Sequence, residues 1–474
     1  IIPTSHHSTF VPSSCLDRRM RSVGNAMMRA CASIFPHRNP VSLLMFWKSI
    51  EMRSVVLHPV CTHKVLKRIR SLCVPVVIAA HLLFVSIACA QQQGFPYKLP
   101  STEPNRPLSA AMKRNYRNNL APTPEQNELY SLFKYTELEG FDYNGHDGTV
   151  TRRDPSKVIL HDVRYYVWYT RRATEVPPVG PDNATAKIPA RDWDLSEIWY
   201  ATSKDGFRWQ EQGVAVKRPP RPNAGWRSVS TPDILVWKGK YYLYYQAFSV
   251  HPSSAGDNCP VSVAVSESPD GPWQAVNQVV IPNGDPDEWD GYSIHDPYPL
   301  VYKDQIYLYY KSDCNGKDDI IRMQGVAIAD NPLGPFEKHP LNPVLNSGHE
   351  TTLFPFKQGI AALVIKDGNE HFTVQYAPDG INFEIAAITE LMPVAAGPYV
   401  PDAFAGTEDG RGITWGLCHN THLPGHSILM RFDCDLSRDV HYPEMKRHHV
   451  RLKPEHYYRH GLTSDRLRPV SYTH

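Results

Sequence analysis

Beyond Tyr143 the chain settles into short runs in which Tyr, Trp, Val and Ile alternate with smaller or polar residues, punctuated by Gly, Pro, Asn and Asp. A period of two with frequent turn residues predicts short β-strands, and helical periodicity almost vanishes. Many short strands at turn-marked intervals indicate a sandwich, a barrel or a propeller. Upstream, Pro96 to about Pro122 is polar and proline-rich, with helical candidates at Leu108–Asn118 and Pro124–Phe133. Helices that short cannot bury a core of their own, so they predict an N-terminal arm that packs on the main body or on a second subunit.

Internal repeats decide between the β architectures. Asp154-Pro155 precedes Val158-Ile159 and then Tyr165-Tyr-Val-Trp168; Thr231-Pro232 precedes Ile234-Leu-Val-Trp and then Tyr241-Tyr-Leu-Tyr-Tyr245. Asp296-Pro297 precedes Leu300-Val-Tyr and then Ile306-Tyr-Leu-Tyr-Tyr310. One offset, 14 residues, separates the first and last residue of each unit, and the same offset links Glu350 to Val364. A weaker fifth copy begins at Pro401-Asp402-Ala-Phe and continues to Ile413-Thr-Trp415. Between the strand pairs recur turns followed by an aromatic: Ser203-Lys-Asp-Gly-Phe-Arg-Trp209, Ser268-Pro-Asp-Gly-Pro-Trp273, Asn331-Pro-Leu-Gly-Pro-Phe336 and Ala377-Pro-Asp-Gly-Ile-Asn-Phe383. Each unit holds the content of one four-stranded blade, whereas a sandwich has no reason to repeat one register. The expected fold is all-β: a five-bladed β-propeller over 141–435, preceded by a short helical arm at 91–140 that serves dimerisation, and followed by a basic, His-rich tail at 436–474.

Charge changes the picture of the partner. Lys+Arg number 50 and Asp+Glu 48, but residues 1–90 hold 11 of the bases and only two acids, Asp17 and Glu51, leaving the rest of the chain at −7. An acidic body argues against nucleic acid or another polyanion, because such binding rests on a basic face. The chain opens on Ile1, with Met45 or Met52 as candidate starts, and residues 1–50 show no sustained periodicity. Lys64-Val-Leu-Lys-Arg-Ile-Arg70, an apolar stretch from Leu72 and the ending Ala88-Cys89-Ala90 have the form of a secretory signal peptide. The expected mature protein is periplasmic or secreted and free of the membrane. Of nine cysteines, only Cys259, Cys314, Cys418 and Cys434 follow that cleavage point, none as C-x-x-C. Four such thiols in so large a body are expected to be buried or incidentally paired rather than a disulfide framework. The Asn183-Ala-Thr185 sequon carries meaning only in a eukaryotic secretory pathway.

In a propeller the first strand of each blade lines the central channel, so residues equivalent by the repeat face one funnel. That ring is Asp154, Thr231, Asp296, Glu350 and, from the fifth repeat, Asp402. Carboxylates crowded round one axis perturb one another's protonation, an arrangement suited to acid/base catalysis. The same ring could bind one central cation, or its Asp-Pro pairs could cap turns.

The constellation resembles glycoside hydrolases with five-bladed propellers, the group that includes families 43 and 117. Through Thr151-Arg-Arg-Asp154-Pro-Ser, Ser293-Ile-His-Asp296-Pro-Tyr-Pro and Gly348-His-Glu350-Thr-Thr it is most similar to family 117, the α-1,3-neoagaro-oligosaccharide hydrolases. The resemblance spans roughly residues 100–435, includes the helical arm, which in that family exchanges between subunits of a homodimer, and stops at the tail after Leu436. It implies that Asp154 activates water and Asp296 orients substrate and tunes the acid. For the acid it allows His349, while the repeat register points Glu350 at the axis, and adjacent strand residues face opposite ways. Trp193, Thr231, Gln246 and His295 are the candidate sugar contacts, with core packing an equal claim on each taken singly. The implied activity is an exo-acting, inverting release of 3,6-anhydro-L-galactose from neutral neoagaro-oligosaccharides, with no cofactor required and a divalent cation near the channel left open. Alternatives are an arabinanase- or xylosidase-like glycosidase and a carbohydrate-binding propeller without catalysis. A lectin has no need of carboxylates in register across blades.

Overall fold

The computed structural model describes residues 94–447 except 118–126, 251–258, 314–321, 347–348, 366–369, 390 and 423–425. The proposed signal peptide, Cys314 and the tail beyond 447 lie outside the described residues. Among the described residues no helix is long and apolar enough to cross a membrane.

The strands form a five-bladed β-propeller. Blade 1 comprises β2 (Val150–Arg153), β3 (Ile159–His161), β4 (Arg164–Ala173), β5 (Glu197–Ser203) and β6 (Trp209–Val216). Blade 2 is β7 (Ser228–Trp237), β8 (Lys240–Phe248), β9 (Val261–Ser266) and β10 (Gln274–Ala275). Blade 3 is β11 (Ser293–Tyr302), β12 (Gln305–Asp313), β13 (Gln324–Ala329) and β14 (Glu337–Lys338). Blade 4 is β15 (Thr352–Lys357), β16 (Gly359–Val364), β17 (Thr373–Ala377) and β18 (Glu384–Ile388). Blade 5 is β19 (Gly397–Pro398), β20 (Gly410–His422) and β21 (His426–Ser437), and its outer strand is β1 (Lys134–Glu137), which pairs antiparallel with β21. The last blade is therefore completed by chain from before the first. A backbone bond from Val158 N–H to Pro398 O (3.0 Å) joins blades 1 and 5.

Blades stacked face to face bury both sides of their inner strands, which explains the unbroken apolar runs. β8 is buried at every position after Lys240. Buried tyrosine hydroxyls still need acceptors, and the recurrent turns supply them from the next blade. Tyr166 donates to Asp270 Oδ2 (3.3 Å), Tyr244 to Pro332 O (2.7 Å) and Tyr309 to Gly380 O (2.8 Å). Within the turns, Gly206, Gly271, Gly334 and Gly380 all adopt φ between 74° and 90°, the left-handed region in which a Cβ is costly.

The arm is shorter than its sequence pattern predicts. α1 runs only Ala110–Arg114, with Ser109 Oγ accepting from Met112 N–H at its start. The second predicted helix is absent over 127–133, where the chain makes one turn and enters β1. Phe95, Leu108, Ala111 and Met112 pack among the buried side chains of blades 2 and 3. Arg114 reaches buried Glu370 with two bonds, Nε–Oε1 at 2.8 Å and Nη2–Oε2 at 2.9 Å. At the other terminus, Met445 is buried and Lys446 Nζ donates to the carbonyls of Glu128, Tyr130 and Asp435. Cys259 is buried, and Cys418 and Cys434 are buried free thiols.

Candidate active site

Five non-glycine residues at equivalent points of the blades adopt left-handed backbone: Asp154 (φ 49°), Thr231 (47°), Asp296 (45°), Glu350 (55°) and Ala395 (47°). Such conformations cost free energy in L-residues and concentrate at functional sites. The ladder breaks at two of these places, between Ser230 and Asp233 and between His295 and Tyr298, so Thr231 and Asp296 sit on bulges that re-aim their side chains.

The register corrects one member of the predicted ring. Two residues after the special position, the inner strand starts or resumes pairing with its neighbour: Asp233 with Tyr244, Tyr298 with Tyr309, Thr352 with Leu363, Gly397 with Leu417. The fifth ring residue is thus Ala395 and not Asp402, whose Oδ2 accepts from Arg411 N–H (2.7 Å) in the connection to β20. That connection separates the first pair of blade 5 by 20 residues where blade 4 has 11, which displaces a fixed sequence offset.

The other four ring residues do converge. Asp154 Oδ2 accepts from Arg153 Nε (2.8 Å), Thr231 Oγ1 (3.2 Å) and Thr170 Oγ1 (3.3 Å). His419 Nδ1 lies 3.3 Å from both Oδ1 and the backbone nitrogen of Asp154. Arg153 also faces Glu350 Oε1 (3.6 Å) and Asp192 Oδ2 (3.7 Å), with its guanidinium 4.9 Å from the Trp193 ring centre. Asp296 Oδ2 lies 3.3 Å from Lys311 Nζ and accepts from Glu350 N–H at 3.3 Å. His349, a quarter exposed, places Nδ1 3.4 Å from Glu350 Oε2. Burial pushes the Asp154 carboxyl up, but Arg153 and His419 outweigh it and hold the group well below the usual carboxylate range. The site therefore presents a buried, ionised carboxylate beside a partly exposed imidazole.

Asp154, Glu350 and His419 each offer an atom within 4.8 Å of the other two, a set able to ligate a cation. Arg153 already brings positive charge to both carboxylates of that set.

Of the predicted sugar contacts, Thr231 and Trp193 belong to this cluster through Asp154 and Arg153. Gln246 is buried, with Nε2 3.8 Å from Cys259 Sγ and no partner on Oε1 among the described residues. His295 is buried at 3 Å scale contact with its own strand, Nε2 meeting Ser293 Oγ at 2.8 Å, and its ring stands edge-on to Phe248. Arg153, Thr170, Lys311 and His419 went unrecognised in sequence. A signal for three of them exists: second-strand residues facing the ring. Thr170 pairs with Arg153, Lys311 with His295, and His419 N–H donates to Val394 O, in each case beside the residue preceding a ring position.

A family model described as glycosyl hydrolases family 43 matches residues 149–324. Among solved structures, the chain is similar to Zg3597, a family 117 glycoside hydrolase from the marine bacterium Zobellia galactanivorans, at 58% identity and a TM-score of 0.66, over 70% of this chain and 99% of that one. It also matches CoXyl43, a family 43 β-xylosidase/α-arabinofuranosidase from a compost microbial metagenome, at 16% identity and a TM-score of 0.42, over 64% and 94% of the two chains. No match is found among curated proteins. With nearly all of a family 117 enzyme aligned at such identity, this chain belongs to glycoside hydrolase family 117 and is a glycoside hydrolase built on a five-bladed propeller.

Proposed function

We propose that the enzyme is an exo-acting, inverting α-1,3-glycosidase that releases 3,6-anhydro-L-galactose from the non-reducing end of neoagaro-oligosaccharides. The observation that carries the mechanism is the pairing of an ionised, triply hydrogen-bonded Asp154 with a His349 that rests against Glu350. Asp154 accepts a proton from water as the water oxygen bonds to the anomeric carbon. The glycosidic C–O bond breaks as His349 gives its proton to the leaving oxygen, and Asp296 orients the sugar.

Glu350 suits the acid's role less well. Its carboxylate comes within 4.8 Å of Asp154, short of the roughly 6.5–9.5 Å that leaves room for an attacking water in inverting enzymes. Its Oε1 faces a guanidinium, a partner for an anion rather than for an acid's proton. In this reading Glu350 is the anionic partner that His349 faces, Oε2 lying 3.4 Å from Nδ1. The neutral substrate accords with the −7 charge of the chain after residue 90.

The match of residues 149–324 to family 43 favours arabinan or xylan oligomers as the second reading. Thin-layer analysis of products from neoagarobiose, arabinan and xylan oligomers separates the two: release of a monosaccharide from neoagarobiose alone supports the first, and turnover only of the pentose oligomers overturns it. The enzyme is further proposed to be exported and to form a homodimer through its arm, with α1 and Arg114 as the docking element.

A further inference from the structure

Three residues beyond Asp154, Lys157 is wholly buried at the centre of the propeller. Its backbone N–H donates to Asp233 Oδ1 (2.8 Å) and its ammonium bonds Asp233 Oδ2. The same ammonium stands 3.8 Å from the ring centre of Tyr298. Asp233 and Tyr298 are each two residues past a ring member, Thr231 and Asp296. The Lys157 bonds to Asp233 and its contact with the Tyr298 ring therefore join blades 1, 2 and 3 in one polar cluster next along the inner strands from the catalytic ring.

A buried ion pair is weak evidence of stability. Burial pushes the Lys157 ammonium down and the Asp233 carboxyl up, in each case further than the partner restores. Buried ion pairs of this kind can usually be replaced by apolar residues without loss. The neighbouring backbone gives the pair a second role. The segment from Asp154 to Val158 is gripped on its other side by blade 5: Val158 N–H donates to Pro398 O, and a Cβ at Gly397 would stand 2.0 Å from Ser156 O. Asp233, holding both the backbone and the side chain of Lys157, presses the segment into that narrow gap.

We infer that the Lys157–Asp233 pair, seated on Tyr298, is an axial clamp that sets the strained Asp154 backbone at its working distance from Asp296. Lys157 and Asp233 are positioning residues, and the inference rests on Asp154 being the water-activating group. A displacement of about 1 Å at such a group costs about a hundredfold in rate.

Single replacements would strand a buried charge, so the test uses two double variants, K157M/D233L and K157M/D233N, measured as full-length enzyme on neoagarobiose. The Asn variant keeps an Oδ1 acceptor for the Lys157 N–H; the Leu variant does not. Both are expected to melt within about 5 °C of wild type. In K157M/D233L, kcat should fall at least about tenfold with KM within about threefold, and K157M/D233N should recover part of the loss. Wild-type kcat in both folded variants would overturn the clamp. An Asp154→Asn control separates that outcome from a failure of the catalytic assignment: if D154N is inactive while both doubles are fully active, only the clamp is wrong, and if D154N keeps wild-type turnover, the assignment beneath it is wrong.

Discussion

Replacing Arg114 by Met removes the charge that holds α1 to the propeller. The guanidinium bonds both oxygens of Glu370 and also meets Glu384 Oε2 (3.0 Å), Gln375 Oε1 (3.1 Å) and Phe383 O (2.5 Å). Glu370 is buried, so the variant leaves an unpaired interior carboxylate with only Asn346 and Gln375 as donors. Breaking one side of such a pair costs about 3–5 kcal/mol. For a body of roughly 300 residues the unfolding entropy near Tm is about 0.6 kcal/mol/K, which converts that cost to a fall of about 5–8 °C. The pH dependence fixes the cause. Burial raises the Glu370 carboxyl but Arg114 outweighs it, so the folded value lies below the ordinary one. A lowered folded value gives stability that is complete above the unfolded pKa and is lost as pH falls through the folded one. Without Arg114, burial dominates, the carboxyl moves upward and takes up a proton in mild acid. The gap in Tm between wild type and R114M, read by scanning calorimetry, should therefore be widest near pH 7 and narrow towards about pH 4.5. If the arm exchanges between subunits, the Tm of the variant should also depend on protein concentration. A fall below about 1 °C at pH 7, or a gap that does not change with pH, would refute the docking role of this pair.

Asp154→Asn and Asp296→Asn should each leave a folded enzyme whose kcat on neoagarobiose is at least about a hundredfold lower, the scale of acid/base groups; wild-type turnover in either would remove that residue from the reaction. His349→Ala should lose activity on neoagarobiose and regain it on a substrate with an activated leaving group that needs no protonation, measured by leaving-group release, whereas Glu350→Gln should show no such selective rescue. Rescue of the Glu350 variant alone would reverse the assignment.

Much of this architecture was legible because blades repeat. The Asp-Pro and Thr-Pro pairs at 154, 231 and 296 mark left-handed positions that recur at one strand position, and the buried aromatics Trp168, Tyr245 and Tyr310 follow them at one offset. Glu350 lacks the proline yet keeps the backbone conformation, so the register found it. The fifth position was misplaced because the long connection before β20 breaks the offset, and Ala395 carries no chemistry to betray it. His419 was missed for the same reason, since its place opposite the ring is visible only once blade 5 is aligned. Arg153 stood in plain view within a quoted motif, but a strand residue beside Asp154 is assigned to the opposite face by simple alternation, and the left-handed backbone at Asp154 cancels that alternation. The helical pattern failed over its described residues, 127–133, where tertiary pairing prevailed: the chain there turns into the outer strand of blade 5.

The central claim is that Asp154 activates water and does not attack the sugar. Proton NMR during the first minutes of neoagarobiose hydrolysis, before mutarotation, reports the configuration of the released sugar directly. The account predicts initial appearance of the anomer opposite to that of the substrate. Initial release of the same anomer would contradict it, and would instead fit the close approach of Asp154 and Glu350 to the roughly 5 Å spacing of a covalent, retaining pair.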